Sequence, residues 1–191
     1  MRKLALDDVR PPRLYERVRA EARRRVIELK RARRVALGPC VTLVFENRDT
    51  VRFQIEEMLR AEHVEDPARI REEIESYNAL LPDEGALAAT LFVEVVGGAA
   101  IRDALQALAG IDEHLALEAG GAVARGAFEA GRAEADRISA VQYVRFPLPP
   151  PLRAALATPG ATIALVSDHP EYRHRVTLSD ATRASLADDL A

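Results

Sequence analysis

Thiol chemistry has little to work with in this chain: one cysteine, Cys40, in 191 residues. A single cysteine excludes an internal disulfide, and it excludes any iron-sulfur or zinc cage built from several thiolates of this chain. Tryptophan is absent and aromatic residues make up 5%, which leaves few platforms for stacking nucleic-acid bases. No apolar run approaches the roughly 20 residues that cross a bilayer. The opening MRKLALDDVRPP lacks the apolar stretch of a secretion signal, so the expected location is the cytoplasm, with no membrane attachment. No glycine-rich phosphate cradle is present, and Gly97-Gly98 lacks the third glycine of a dinucleotide fingerprint. No Ser/His/Asp order carries a nucleophile elbow, and no catalytic residues or cofactor emerge from the sequence.

What is present is a charge asymmetry hidden inside a net charge of -3. Residues 1–36 hold 13 Lys/Arg against 5 Asp/Glu, while the acidic excess lies downstream, with 10 acidic residues and 3 arginines between Glu56 and Glu84. Internal neutralisation of the basic arm by this acidic stretch is the default expectation; phosphate or an anionic surface is the alternative. Leu14, Val18, Ala22, Val26 and Leu29 recur at helical spacing, predicting one amphipathic helix over about 13–36 that Gly38-Pro39 terminates. Cys40–Glu46 has strand composition, and its cysteine reads as a small buried apolar residue. Asp49 is a plausible cap for a helix carrying Val51, Ile55, Met58 and Leu59 on one face. Asp66-Pro67 starts another, with Ile70, Ile74 and Tyr77 inward.

The second half repeats an element order. A strand over 88–96, a helix over 99–108 and a hairpin turning at Gly120-Gly121 are followed by a strand over 139–148, a helix over 151–157 and a second hairpin. Residues 129–137 form a polar connection, and Ser179 caps a last helix. The expected class is α+β in a single domain, 1–191: a mainly helical part, 1–85, with three helices and one strand, and a mostly antiparallel sheet part, 86–191, made of two strand-helix-hairpin units.

Two places invite chemistry. In the second hairpin, His169-Pro170-Glu171-Tyr172 as the turn sets Ser167 opposite His174 and His169 opposite Tyr172, all on one face. His169, His174 and Asp168 are then candidate metal ligands, although two histidines are a weak signature and a proline turn with a polar tip explains the same residues. At the elbow Glu46-Asn47-Arg48-Asp49, free amides of a helix start together with Arg48 or Arg52 would hold a phosphate or carboxylate. Capping by Asp49, with Asn47 taking up the tight strand-to-helix geometry and Glu46 paired to an arginine of the first helix, explains the elbow without a ligand.

The blocks KRARRVALGP, TLVFENRDTVRFQIEEMLRAE, SYNALLP, ATLFVEV, SAVQYVRFPL and DHPEY, spread over nearly the whole chain, resemble a bacterial family catalogued only as a domain of unknown function. The resemblance implies a redox or oxidative-stress setting, because such proteins are often encoded beside a rubrerythrin and an iron-sulfur or flavin-linked oxidoreductase. The leading expectation is an accessory protein that docks a partner through its basic first helix and the Asn47, Arg48, Asp49, Arg52 elbow. Two alternatives stand beside it: a metal- or anion-binding enzyme or sensor built on Asp168, His169, Tyr172 and His174, and a nucleic-acid-binding regulator using the basic helix. The alanine-rich helix is equally suited to a monomer interior or a homo-oligomer contact.

Overall fold

A computed structural model describes residues 1–94, 98–128, 133–134 and 137–190. The basic arm is helix α1, Pro12–Arg33, with proline in its first turn. It ends three residues earlier than the sequence suggests, because Arg34–Leu37 alternates exposed and buried residues and becomes a short strand, β1. This strand pairs antiparallel with β2, Val41–Glu46, matching Val35 to Leu43. The first half thus contains two strands rather than one. Helix α2, Arg48–Ala61, leaves β2 through the elbow, and α3, Pro67–Asn78, starts where Asp66 accepts the Arg69 amide.

The tandem order of the second half is present: β3 (Ala86–Val93), α4 (Gly98–Ala107) and the hairpin β4 (Leu115–Ala119) to β5 (Ala122–Arg125) precede their counterparts. After the short β6 (Ala127–Phe128) come β9 (Val141–Pro147), α5 (Pro150–Ala157) and the hairpin β10 (Ala164–His169) to β11 (Tyr172–Thr177). The intervening pair β7 (Ala133–Glu134) and β8 (Arg137–Ile138) is all that is described of the polar connection; the rest of it lies outside the described residues, as do residues 95–97 of the expected strand 88–96. Helix α6, Asp180–Asp188, follows Ser179, whose hydroxyl accepts the Thr182 amide.

The two units do not merge into one sheet. Strand β3 pairs with β9 inside a five-stranded sheet ordered β1-β2-β3-β9-β6, whereas the hairpins meet through β4 and β10 in a four-stranded sheet ordered β11-β10-β4-β5. Every pairing is antiparallel. A two-sheet arrangement follows from burial: Leu43, Phe45, Leu87, Leu91, Val144 and Phe146 of the first sheet join Leu115, Leu117 and Leu165 of the second in one core. The chain passes from the second sheet to the first at Gly126, where a side chain would meet Val144 Cγ2 at 2.8 Å. A separate cluster, with Val51, Ile55, Leu59, Ile70 and Ile74, binds α2 to α3.

Two buried polar contacts lock the helices and turns to the sheets. Arg33, fully buried, donates to the carbonyls of Phe45 at 2.8 Å and Glu46 at 3.2 Å, to Ser185 of α6, and to the Asp189 carboxylate. The Tyr172 hydroxyl donates to the Leu37 carbonyl at 2.5 Å and accepts the amides of Cys40 and Val41 at 3.1 Å, clamping the β1-β2 turn to β11. Burial pushes this phenol up to about 12.

Candidate functional site

The apolar stripe that marks α1 in the sequence is buried at Val26 and otherwise half-buried or exposed. The buried positions of α1 are Pro12, Tyr15, Val26 and Arg33, while Leu14 is 50% exposed and Val18, Ala22 and Leu29 line an open groove of about 670 Å³. Across the groove stand Asp49, Arg52, Phe53 and Glu56 of α2, the i, i+3, i+4, i+7 face of that helix. Val18, Leu29 and Phe53 belong to neither apolar cluster among the described residues. Toward this open space α1 presents Val18, Ala22, Val26 and Leu29, and α2 presents Phe53 among charged residues.

Charge is distributed unevenly around that groove. Part of the basic arm is neutralised by the acidic stretch: Arg10 forks onto the buried Glu56 at 2.8 and 2.9 Å, Arg19 onto Glu57 at 2.8 and 2.9 Å, and Arg13 reaches Glu65 at 2.9 Å. Tyr15 donates to Glu57 at 2.6 Å, and its own pKa is raised by burial and then by that carboxylate. Neutralisation stops there. Arg17, Arg23, Arg24, Arg25 and Lys30 have no ion-pair or hydrogen-bond partner among the described residues. Of these five, Arg25 lines the groove.

The elbow itself is occupied by the protein. Asn47, not Asp49, is the cap: its side-chain oxygen accepts the amides of Asp49 at 3.1 Å and Thr50 at 3.0 Å, and the Thr50 hydroxyl accepts the Asn47 amide. An amide oxygen one residue earlier reaches both free donors, which Asp49 does not. Arg48 donates to the carbonyls of Arg2 and Lys3 and pairs with Asp8, while Arg52 pairs with Asp49 at 2.7 Å on the groove wall. Glu46 does not pair through its carboxylate with an arginine of α1; it accepts from Thr50 at 2.5 Å, Thr90 at 2.7 Å and Gln54 at 3.1 Å, while Arg33 takes its carbonyl. The donors expected to hold a small anion are already in use, and of the four elbow residues Asp49 and Arg52 border the groove.

At the other end of the molecule the hairpin register is the expected one, Ser167 opposite His174 and His169 opposite Tyr172. The side chains separate by function. His169 is buried; Glu171 donates its amide to Nδ1 at 3.3 Å and Nε2 donates to the Ala109 carbonyl at 2.9 Å, which fixes the neutral Nε2–H tautomer. His174 stacks edge-on against Tyr172 with ring centroids 4.4 Å apart. Asp168 instead meets His114 Nδ1 at 2.8 Å, and that hydrogen bond holds its carboxyl below the ordinary range. Among the described residues no group of three or more His, Cys, Asp or Glu side chains is arranged to hold a metal ion, and no described helix is long and apolar enough to cross a membrane.

Comparison with known proteins agrees with the spread of the sequence blocks. Residues 3–190 match the family described as Protein of unknown function (DUF3501). The chain belongs to this family. A crystal structure of a novel protein of unknown function from Burkholderia pseudomallei K96243 is similar over 100% of both chains, with a TM-score of 0.91 and 33% sequence identity. No curated protein matches the chain. The DUF3501 fold is therefore shared along the full length, and its description carries no activity.

Within this DUF3501 chain the residues that sequence reasoning missed are His114 and the groove position Phe53. His114 reaches Asp168 because β4 pairs with β10, setting Leu115 opposite Ser167; only the pairing of the two hairpins reveals it. Val18, Ala22 and Leu29 belong to the apolar stripe of α1 that the sequence shows, whereas Phe53 falls outside the periodic face expected for α2.

Proposed function

We propose that the protein is an accessory protein, without catalysis of its own, that works by docking a partner protein on the α1-α2 face. The observation that carries this reading is the set of half-buried Val18, Leu29 and Phe53 left outside both apolar clusters and bordered by unpartnered Arg25. Half-buried apolar side chains at helical spacing on two facing helices are the usual seat of a third element, and arginine is favoured over lysine at protein interfaces. The resemblance of the sequence blocks supports a redox or oxidative-stress setting in the cytoplasm, with a rubrerythrin and an iron-sulfur or flavin-linked oxidoreductase as the first partners to try.

The test is affinity capture from the native host with the wild-type chain and a Phe53→Glu variant, whose folding is checked by circular dichroism. The reading expects one of the two redox proteins to be retained by the wild type and lost from the variant. Retention of neither overturns the redox setting. Equal retention by both chains removes the groove from the interface.

A further inference from the structure

We infer that the cleft between the end of α3 and β9 binds an uncharged, planar aromatic compound that carries a hydrogen-bond acceptor. The cleft shares no lining residue with the α1-α2 groove, so this inference stands apart from the docking reading. Tyr77 and Leu80 form one wall, and Phe128 of β6 with Tyr143 and Arg145 of β9 forms the other, around an open space of about 520 Å³. Small-molecule sites run from roughly 300 to 1,000 Å³. Arg145 donates to the Ala79 carbonyl, just past the end of α3, and to Asp83 at 3.1 Å. These bonds tie the helix end to β9 and set the width of the cleft before any ligand arrives, which spares the ligand the cost of ordering its walls.

The aromatic character of the ligand follows from the walls. The chain has four tyrosines and five phenylalanines, of which Tyr15, Phe45, Phe146 and Tyr172 are buried inside the protein. Of the five left half-buried, Tyr77, Phe128 and Tyr143 meet at this one cleft. Tyr77 packs partly against the helical cluster and Phe128 partly against the core of the sheets, so the cleft is the seam between the two apolar clusters. Partly uncovered rings take a further flat ring edge-on or in an offset stack, and the guanidinium plane of Arg145 offers the same kind of face.

The polar groups define the rest. The Tyr77 hydroxyl has no hydrogen-bond partner among the described residues. Burial, and then the carboxylate of Glu73, raises its pKa, so it remains a donor at neutral pH. A half-buried donor without a partner is matched by an acceptor on the ligand. Arg145 is the one charged residue on the walls, and Asp83 offsets it. Beyond the walls stand charges of both signs: Lys3, 3.9 Å from Asp83, and Glu73 and Glu62, whose fields reach Tyr77. An anion would have to compete with Asp83 for Arg145. An aromatic cage for a quaternary ammonium would not hold a guanidinium in its wall, because like charges repel. A neutral ring compound meets neither obstacle.

The experiment titrates the isotopically labelled full chain with coumarin, a flat neutral compound with a carbonyl acceptor. The comparison probes are naphthalene, which keeps the shape without the acceptor, coumarin-3-carboxylate, which adds a negative charge, and naphthylmethylammonium, which adds a positive one. The expected result is a saturable shift of the Tyr77, Leu80, Phe128 and Tyr143 amide signals by coumarin. Tyr77→Phe, which keeps the ring and removes the donor, should weaken coumarin by about fivefold to tenfold and leave naphthalene within about twofold. Tyr143→Leu should weaken both, because it removes a stacking face. Unfolding curves of both variants that match the wild type separate loss of the site from loss of the fold. Shifts that fail to saturate or that lie elsewhere would overturn the inference. So would equal weakening of coumarin and naphthalene in Tyr77→Phe, or tighter binding of either charged probe. Concentration-dependent shifts of the same signals without any probe would assign the cleft to a contact between copies instead.

Discussion

Gly38 and His174 lie in direct contact: a side-chain carbon placed on Gly38 would sit 2.6 Å from the His174 Cδ2 and 2.7 Å from its Nε2. Gly38 also holds φ at +74°, in the left-handed region. Both facts belong to the turn that the Tyr172 hydroxyl clamps, so the turn between β1 and β2 is shaped by a hairpin more than 130 residues downstream. Gly38→Ala is expected to lower stability by about 2 kcal/mol or more, read from urea unfolding, through the clash and the backbone strain together. Adding His174→Ala should return the part owed to the clash and leave about 1 kcal/mol owed to the backbone. No recovery in the double variant would show that the contact does not matter.

The clamp between α1 and α2 should respond to acid. Arg19 and then Tyr15, by hydrogen bonding to Glu57, hold its carboxyl below the ordinary range despite partial burial. A carboxyl with a depressed folded pKa contributes stability that is fully present above its unfolded value, near 4.5, and lost as pH falls through the folded one. The stability difference between wild type and Glu57→Gln should therefore be constant from pH 7 down to the ordinary carboxyl range and shrink below it. A difference that grows on acidification would contradict the assignment.

Arg33 and Asp189 join the first long helix to the end of the last one, and both side chains are buried. Asp189→Ala strands a guanidinium away from water and is expected to cost about 3–5 kcal/mol. The double variant Arg33→Met with Asp189→Leu removes the stranded charge and should recover most of that loss. Equal destabilisation in both variants would mean that packing, not charge, dominates the contact.

His63 is the one non-glycine residue with positive φ, 54°, among the described residues. It closes α2 with a Schellman turn, in which the Val64 amide returns to the Leu59 carbonyl at 2.9 Å and the His63 amide to Arg60. His63→Gly relieves roughly 1–2 kcal/mol of left-handed strain and returns roughly 0.4–1 kcal/mol through a more flexible unfolded chain. A net gain of about 0.5–1 kcal/mol, or about 1–4 °C in Tm, is expected by calorimetry. A lower Tm would show that the imidazole contributes more than its backbone costs.

Legibility in the sequence followed the range of the interaction that decides each feature. The start of α3 at Asp66-Pro67, the cap of α6 at Ser179, the Gly120-Gly121 turn and the register of the last hairpin are set by neighbours in the chain, and all were readable. Strand β1 was not, because Arg34, Val35 and Ala36 suit a helix and become a strand only by pairing with Val44, Leu43 and Thr42. The elbow was readable as a cap, though which residue capped it depended on the reach of one amide group. The α1 stripe was readable as an amphipathic helix, but periodicity shows that a face is apolar and says nothing of what covers it. His114 was out of reach, since only tertiary pairing of two hairpins brings it to Asp168.

The two strand-helix-hairpin units complete each other's sheets, strand to strand and hairpin to hairpin: β3 finds β9, and β4 finds β10. Neither unit has a finished sheet until the other exists. During synthesis, a nascent chain that stops short of Val141 carries β3 and β4 with open edges, the kind of edge that recruits foreign strands. Closure then depends on contacts between residues about fifty positions apart, which slows folding and lengthens the interval of exposure. The duplicated order that makes the fold symmetrical thus makes each half a chaperone client of the other.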